Sequence, residues 1–161
     1  MERQSQCYLG VRNAVIFCAD HQDHCLQGRL YCSYHRGAMA VKDEMDLLLQ
    51  MEGLFDDLGF PFPGNNERHF VKRSSIMPKK KELEKVTEDE EILDMHGDLG
   101  TFIIRVQHRQ NSSWQGRITW VEKNKTVYFR SVWEMMKLIE EALADQKSAE
   151  ETDSPHFIDE N

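Results

Sequence analysis

Residues 101–144 carry the pattern that most constrains the fold of this 161-residue chain. Apolar residues recur there at every second position in three short runs, and this period is typical of strands that bury one face. The predicted inward-facing residues are Phe102, Ile104, Val106, Ile118, Trp120 and Phe129. Polar turns at 111–113 and 123–125 separate the runs. Because the turns are short, we predict three antiparallel strands.

A helix is predicted directly after the third strand. Ser131 and Glu134 have the spacing of a capping box, in which the Ser hydroxyl accepts from the Glu N–H at the helix start. The apolar residues that follow at helical spacing are Val132, Met135, Met136, Ile139 and Leu143. Residues 99–146 are therefore predicted as a β-β-β-α module whose helix covers the inward face of the sheet.

A second amphipathic helix is predicted over residues 40–58, within an element that spans 39–63. Its apolar residues lie close to one stripe: Val41, Met45, Leu47, Leu48, Met51, Leu54, Phe55 and Leu58. Gly59 suits the left-handed residue after a helix, and Pro61 and Pro63 prevent continuation. The stripe could pack as core or present a groove to a protein partner.

The remaining segments complete an α+β prediction with an N-terminal helix, a charged linker, and a small three-stranded antiparallel sheet with a C-terminal helix packed on one face. Residues 64–98 are the predicted linker, which includes a possible solvated helix at 79–94. Residues 147–161 are predicted to be a disordered acidic tail. Residues 1–38 form a Cys- and His-containing N-terminal extension.

Net charge and hydropathy exclude some classes of protein. The chain carries 20 Lys+Arg against 28 Asp+Glu, a net charge of -8, which argues against a protein that coats nucleic acid with basic surface. It contains no apolar run long enough to span a bilayer, so no membrane association is expected. The first residues lack the order of a secretory signal, so we expect a cytoplasmic protein with reduced cysteines.

Two segments resemble a family of short bacterial proteins of unassigned function. The first runs from Arg105 to Gly116 as RVQHRQNSSWQG and is followed by Phe-Arg-Ser and a helix. The second is the N-terminal helix, which reads LLLQME and then LGFP up to Pro61. The resemblance implies a bacterial origin and brings no established activity with it.

A cluster of Cys and His in the N-terminal extension is a candidate zinc site. Two Cys-x-x-His pairs have chelating spacing, and zinc prefers four such N and S ligands in a tetrahedral arrangement. The candidate ligands are Cys18, His21, Cys32 and His35, with Cys25 as a substitute. Buried free cysteines, or an extension without a fold of its own, are the alternatives.

The outward face of the predicted sheet is a candidate anion-binding site. Guanidinium groups bind phosphates and guanine edges through two parallel hydrogen bonds, and amides add donors. The candidate ligand-binding residues are Arg105, Gln107, Arg109, Asn111, Ser113, Arg117, Tyr128 and Arg130. An ordinary polar sheet surface would have a similar composition, because the face opposite the helix must be hydrated.

The same residues partly resemble a known receptor motif. Arg105-x-x-x-Arg109, followed by Asn111-x-Ser113-x-x-Gly116, is similar to the two half-motifs of PilZ domains, which are cyclic di-GMP receptors. In that family the two halves are well separated, whereas one residue separates them here. The resemblance implies a cyclic dinucleotide ligand as a remote alternative.

The function that we predict from the sequence is a small non-enzymatic binding module. Its Arg-rich sheet face would hold RNA, single-stranded DNA or a nucleotide. The alternative is a protein-interaction or regulatory adaptor that uses the helix at 40–58 and the sheet edge. We find no nucleophile–base set or phosphate loop that would predict an enzyme.

Overall fold

The computed structural model describes residues 14–59, 61, 70–71, 84–109 and 113–152. Within these residues, six strands form one antiparallel sheet in the order β3-β2-β1-β4-β5-β6. The strands are β1 Ala14–Gln22, β2 Leu26–Tyr31, β3 Met39–Val41, β4 Gly100–His108, β5 Gln115–Trp120 and β6 Lys125–Phe129. The helices are α1 Glu44–Leu58, α2 Asp89–Leu93 and α3 Val132–Thr152.

The prediction of a three-stranded sheet with one packed helix is wrong, although the α+β class is confirmed. Residues 14–41, which were predicted as part of an extension and the start of a helix, supply three further strands. The sequence does not indicate β1, because this strand lies at the centre of the sheet and its first six residues are buried on both faces. Such a strand reads as a continuous apolar run rather than as an alternating one.

α1 and α3 pack on one face of the sheet and enclose the main core. Leu47, Met51 and Phe55 of α1 and Met135 and Ile139 of α3 are almost fully buried there. The predicted inward residues Phe102, Ile104, Val106, Ile118 and Phe129 are buried in the same cluster, and Trp120 packs against it half-buried. Most of the predicted stripe is therefore core, whereas Met45 is exposed and Val41 belongs to β3.

Both long helices are capped by side chains. Asp43 accepts a hydrogen bond from the Asp46 N–H at 2.7 Å, so α1 begins at Glu44 and not at residue 40. Ser131 accepts from the Glu134 N–H at 3.1 Å, as the capping-box spacing predicts. Gly59 ends α1 in the left-handed conformation with φ of 63°.

Among the described residues, α2 and the segment before it cover part of the opposite face of the sheet, here called the outer face. Ile92 of α2 packs on a second cluster with Ile16, Cys18 and Ile103. The segment before α2 is joined to the loop after β2, because the Val86 N–H donates to the Ser33 carbonyl at 2.9 Å. The outer face of β4, β5 and β6 lies away from this cover.

The two halves of the sheet are copies of one β-β-β-α unit. The first repeat (residues 14–58) and the second repeat (residues 100–152) have the same order of three strands and a long helix, and the second adds a 3-10 turn at Val121–Lys123. They meet through antiparallel pairing of β1 with β4. The Ile16–Ile103 pair lies at the centre of that pairing. A local pseudo-two-fold axis at this pair therefore relates β2 to β5, β3 to β6 and α1 to α3.

The sequence retains this repeat in matched details. Gln27-Gly28-Arg29 in β2 corresponds to Gln115-Gly116-Arg117 in β5, and the spacing from there to the helix caps Asp43 and Ser131 is identical. Each long central strand has a register shift at the matching place, after Ala19 in β1 and after Val106 in β4. Differences between the repeats at equivalent positions are therefore informative about function.

The bounds of two predicted segments differ from the structure, and some residues used in the predictions lie outside the described ranges. α3 continues to Thr152, past the predicted end of the module at residue 146. Of the predicted helix at 79–94, the described part is helical over Asp89–Leu93. Cys7, the Lys79-Lys80-Lys81 run and Asn111 lie outside the described residues.

Candidate anion-binding face on the second repeat

Three outward residues form one row across the second repeat. Arg105 of β4 pairs with Arg117 of β5, which pairs with Tyr128 of β6. Adjacent strands lie about 4.8 Å apart, so the row places two guanidinium groups and a phenol ring side by side. We call these three residues the arginine row.

Arg117 and Tyr128 already interact within the row. The Arg117 Cζ atom lies 5.9 Å from the centroid of the Tyr128 ring, which is a cation–π contact. The Tyr128 side chain remains 65% exposed, so its ring keeps surface available for stacking. Among the described residues, no carboxylate lies within ion-pair distance of Arg117.

The equivalent row of the first repeat is electrostatically neutral. Arg29 takes the place of Arg117, and its Nε donates to Asp20 Oδ2 at 2.7 Å while Nη2 donates to Asp20 Oδ1 at 3.1 Å. The hydrogen bond from Arg29 lowers the pKa of Asp20, so the carboxylate stays ionised. Arg29 also donates to the Tyr31 hydroxyl and the His96 carbonyl, at 2.8 and 2.9 Å.

Three changes convert this neutral row into the arginine row. The position of Asp20 holds Gln107 in the second repeat, which removes the carboxylate. The position of Cys18 holds Arg105, which adds a positive charge. The position of Ala40 holds Tyr128, which adds an aromatic ring. One scaffold thus carries an arginine paired with a carboxylate in one repeat, and two half-buried arginines beside an exposed tyrosine in the other.

Arg109 does not lie on this face, although strict alternation along the strand predicted it there. Its side chain is only 4% exposed and its Nη1 donates to Asp56 Oδ1 at 2.8 Å. Its Nε donates to the Pro61 carbonyl at 2.6 Å, and its Cζ lies 5.6 Å from the Phe55 ring centroid. The register shift after Val106 reverses the alternation, so Arg109 turns toward α1.

The structure describes three of the four other predicted ligand-binding residues. Gln107 is exposed two positions beyond Arg105, and Ser113 lies half-buried before β5. Arg130 follows β6, with its side chain 87% exposed and its Nη2 3.4 Å from Glu134 Oε2. Asn111 lies outside the described residues.

The predicted zinc ligands do not come together. Cys18 and Cys32 belong to different apolar clusters, on opposite faces of the sheet. His21 lies beside the start of β2 and His35 follows its end, so β2 separates them. The Cys25 thiol donates to the Lys42 carbonyl at 3.3 Å. No group of three or more metal-ligating side chains occurs within the described ranges.

Burial makes two of these thiols poor nucleophiles. It raises the pKa of Cys18 to about 11, against a smaller lowering by Arg29, and it also raises the pKa of Cys32. We therefore expect a Cys7→Ser variant to react rapidly with an aromatic disulfide reagent at Cys25 alone while folded, and at all three remaining cysteines in denaturant. Rapid labelling of Cys18 in the folded protein would contradict its buried placement.

The comparisons with known proteins give no family or relative on which a function could be based. No protein-family model matches the chain, and neither curated proteins nor solved structures show a significant similarity to it. The resemblances to the short bacterial family and to PilZ domains stay predictions. None of the helices in the described parts of the chain is both long and apolar enough to cross a bilayer.

Proposed function

We propose that this protein is a non-enzymatic binding module and that the arginine row holds an anionic ligand with a nucleobase. The ligand is a short stretch of RNA or single-stranded DNA, or a nucleotide. The observation that carries this proposal is the difference between the repeats. The scaffold position that pairs Arg29 with Asp20 in the first repeat presents Arg117 without a carboxylate partner among the described residues.

The chemistry of the row supports a phosphate and a base together. Arginines bind phosphate oxygens through charge-assisted hydrogen bonds, and the planar Arg117 guanidinium can direct two parallel donors at one anion. An exposed tyrosine ring stacks on nucleobases, and such contacts are worth about 1–3 kcal/mol per base. The row offers donors, positive charge and a ring, which are groups that bind rather than break bonds.

The row also limits how a ligand can be recognised. One exposed ring is fewer than the two or three that sequence-reading RNA sheets present. The interaction is therefore weak and tolerant of sequence, and phosphate contacts make it fall as salt rises. The net charge of -8 restricts favourable contact to the basic face.

Fluorescence anisotropy with a labelled oligouridylate or oligothymidylate of about eight residues at low salt tests the proposal. We expect Arg117→Ala and Tyr128→Ala each to weaken binding about ten-fold, which corresponds to about 1.4 kcal/mol. Arg117→Lys keeps the charge but loses the planar fork, so it gives a smaller loss.

Lys42→Ala is the matched control, because it removes one exposed positive charge at the start of α1, away from the outer face. Its affinity should equal that of the wild type. A wild-type protein without affinity for either oligonucleotide would contradict the proposal. So would an equal loss in the Lys42→Ala and Arg117→Ala variants.

A further inference from the structure

A groove opens between the first turns of α1 and α3, on the side of the sheet opposite the arginine row. It encloses about 740 Å³, within the range of protein binding sites. Met45 and Leu48 form the α1 wall, and Trp133 and Met136 form the α3 wall. These are equivalent positions of the two repeats, so the groove lies where the repeats meet.

The walls of the groove leave large apolar side chains in water. Trp133 is 71% exposed and Met45 is 62% exposed. Neither side chain is needed for the core, which α1 and α3 build from other residues. Exposed Trp and Met beside a groove are typical of interaction sites, because the ring gives a large contact area and Met adapts its shape.

The negative charge of the residues that line the groove favours a positively charged partner. The charged residues that line the groove are Asp43, Glu44 and Glu140, and α1 as a whole contains five carboxylates and no Lys or Arg. Lys137 is a nearby cation, with its Nζ 5.2 Å from the centroid of the Trp133 ring, so the lining keeps an excess of negative charge. A second copy would place one acidic α1 against another, and an anionic membrane surface would be repelled. A positively charged partner instead gains Coulomb attraction and faster association.

We infer that this groove binds a basic amphipathic helix of a protein partner. A cleft between two helices accepts the apolar stripe of a third helix, whose anchors recur at positions i, i+3 or i+4, and i+7. The anchors contact Trp133, Met45 and Met136, and flanking lysines or arginines lie beside Glu140 and Glu44. This site is separate from the arginine row, so the two can be tested independently.

The probe for this proposal is a labelled synthetic peptide of about 14 residues, with Leu along one helical face and Lys elsewhere. We expect it to bind, and a peptide with Glu in place of Lys to bind at least about ten-fold more weakly. Trp133→Ala should weaken binding of the Leu/Lys peptide about ten-fold or more. Glu140→Lys should weaken it several-fold, with the difference reduced at high salt.

Leu49→Ala is the matched control. Leu49 is a 58% exposed apolar residue of α1 that does not line the groove. This variant should bind the peptide as the wild type does. Circular dichroism of all variants should be unchanged, because the mutated side chains are exposed.

Several outcomes would overturn the inference. They are a wild-type protein that does not bind the Leu/Lys peptide, equal binding of the Leu/Glu peptide, and an equal loss in Leu49→Ala. Self-association that Trp133→Ala abolishes would identify a second copy as the occupant instead. Preferential binding to phosphatidylglycerol vesicles that depends on Trp133 would identify a membrane surface instead.

Discussion

Gly116→Ala and Gly28→Ala should each destabilise the protein by about 3 kcal/mol, near the upper end for an overpacking change. A Cβ atom at Gly116 would lie 2.0 Å from the Arg105 carbonyl oxygen, and one at Gly28 would lie 2.0 Å from the Cys18 carbonyl oxygen. Both contacts are with the backbone of the neighbouring strand, so rotation of a side chain cannot relieve them. The strands must separate at the register shift.

Gly53→Ala is the control for this pair. Gly53 lies in α1, and a Cβ atom there would have no described atom within 4 Å beyond its chain neighbours and the adjacent backbone of the helix. Alanine at an exposed helical position should stabilise the protein by about 0.5–1 kcal/mol. Urea unfolding of the three variants measures the differences. A Gly116→Ala variant as stable as the wild type would show that β4 and β5 are not packed this closely.

Arg109→Ala should lower the free energy of unfolding by about 2–3 kcal/mol. The change removes two charge-assisted hydrogen bonds, to Asp56 and to the Pro61 carbonyl, from a side chain that is only 4% exposed. It also leaves an empty site beside Phe55, whose ring packs edge-on against Trp114 at a centroid distance of 5.6 Å. The end of α1 would lose its attachment to β4.

Arg130→Ala provides the comparison for Arg109→Ala. Both residues were predicted for one exposed face, but the Arg130 side chain is 87% exposed and forms an ion pair at 3.4 Å with Glu134 of α3. Its loss should change the stability by less than about 0.5 kcal/mol. Thermal and urea unfolding measure both variants. Equal, small effects would place Arg109 on the surface after all.

The second repeat was predictable because its local signals agree with one another. The alternation of Phe102, Ile104 and Val106 and the capping box at Ser131 indicate the same strands and helix that the structure contains. In β4, β5 and β6 the residues that face the helices are mostly apolar and many of the alternate residues are polar. The period of two is therefore visible in the sequence. Trp120 also lies on the predicted inward face of the sheet, although it is only half-buried.

The first repeat lacked these signals. β1 is apolar from Ala14 to Ala19 because α1 and α3 cover one of its faces and α2 the other, so no period of two remains in that part. The closely spaced Cys and His residues favoured a metal site, although Cys18 and Cys32 serve as buried apolar residues. The recurrence of Gln-Gly-Arg at 27–29 and 115–117 is the signal that could have revealed the repeat.

The strand alternation predicts three residues of the candidate site correctly and places one on the wrong face. Arg105, Arg117 and Tyr128 fall on the expected face because their strands pair in regular register. Arg109 does not, because a one-residue shift after Val106 moves every later side chain to the other face. The groove at Trp133 depends on how two helices meet across the repeats, which no local pattern describes.

An NMR titration of the isotope-labelled protein with a short oligouridylate at low salt tests the central proposal most directly. The proposal predicts that the largest chemical-shift changes fall on Arg105, Arg117 and Tyr128, and that added salt reverses them. The equivalent Arg29 of the first repeat should change little, because Asp20 neutralises it. Changes centred on Arg29 or on Trp133, or no changes at all, would contradict the proposal.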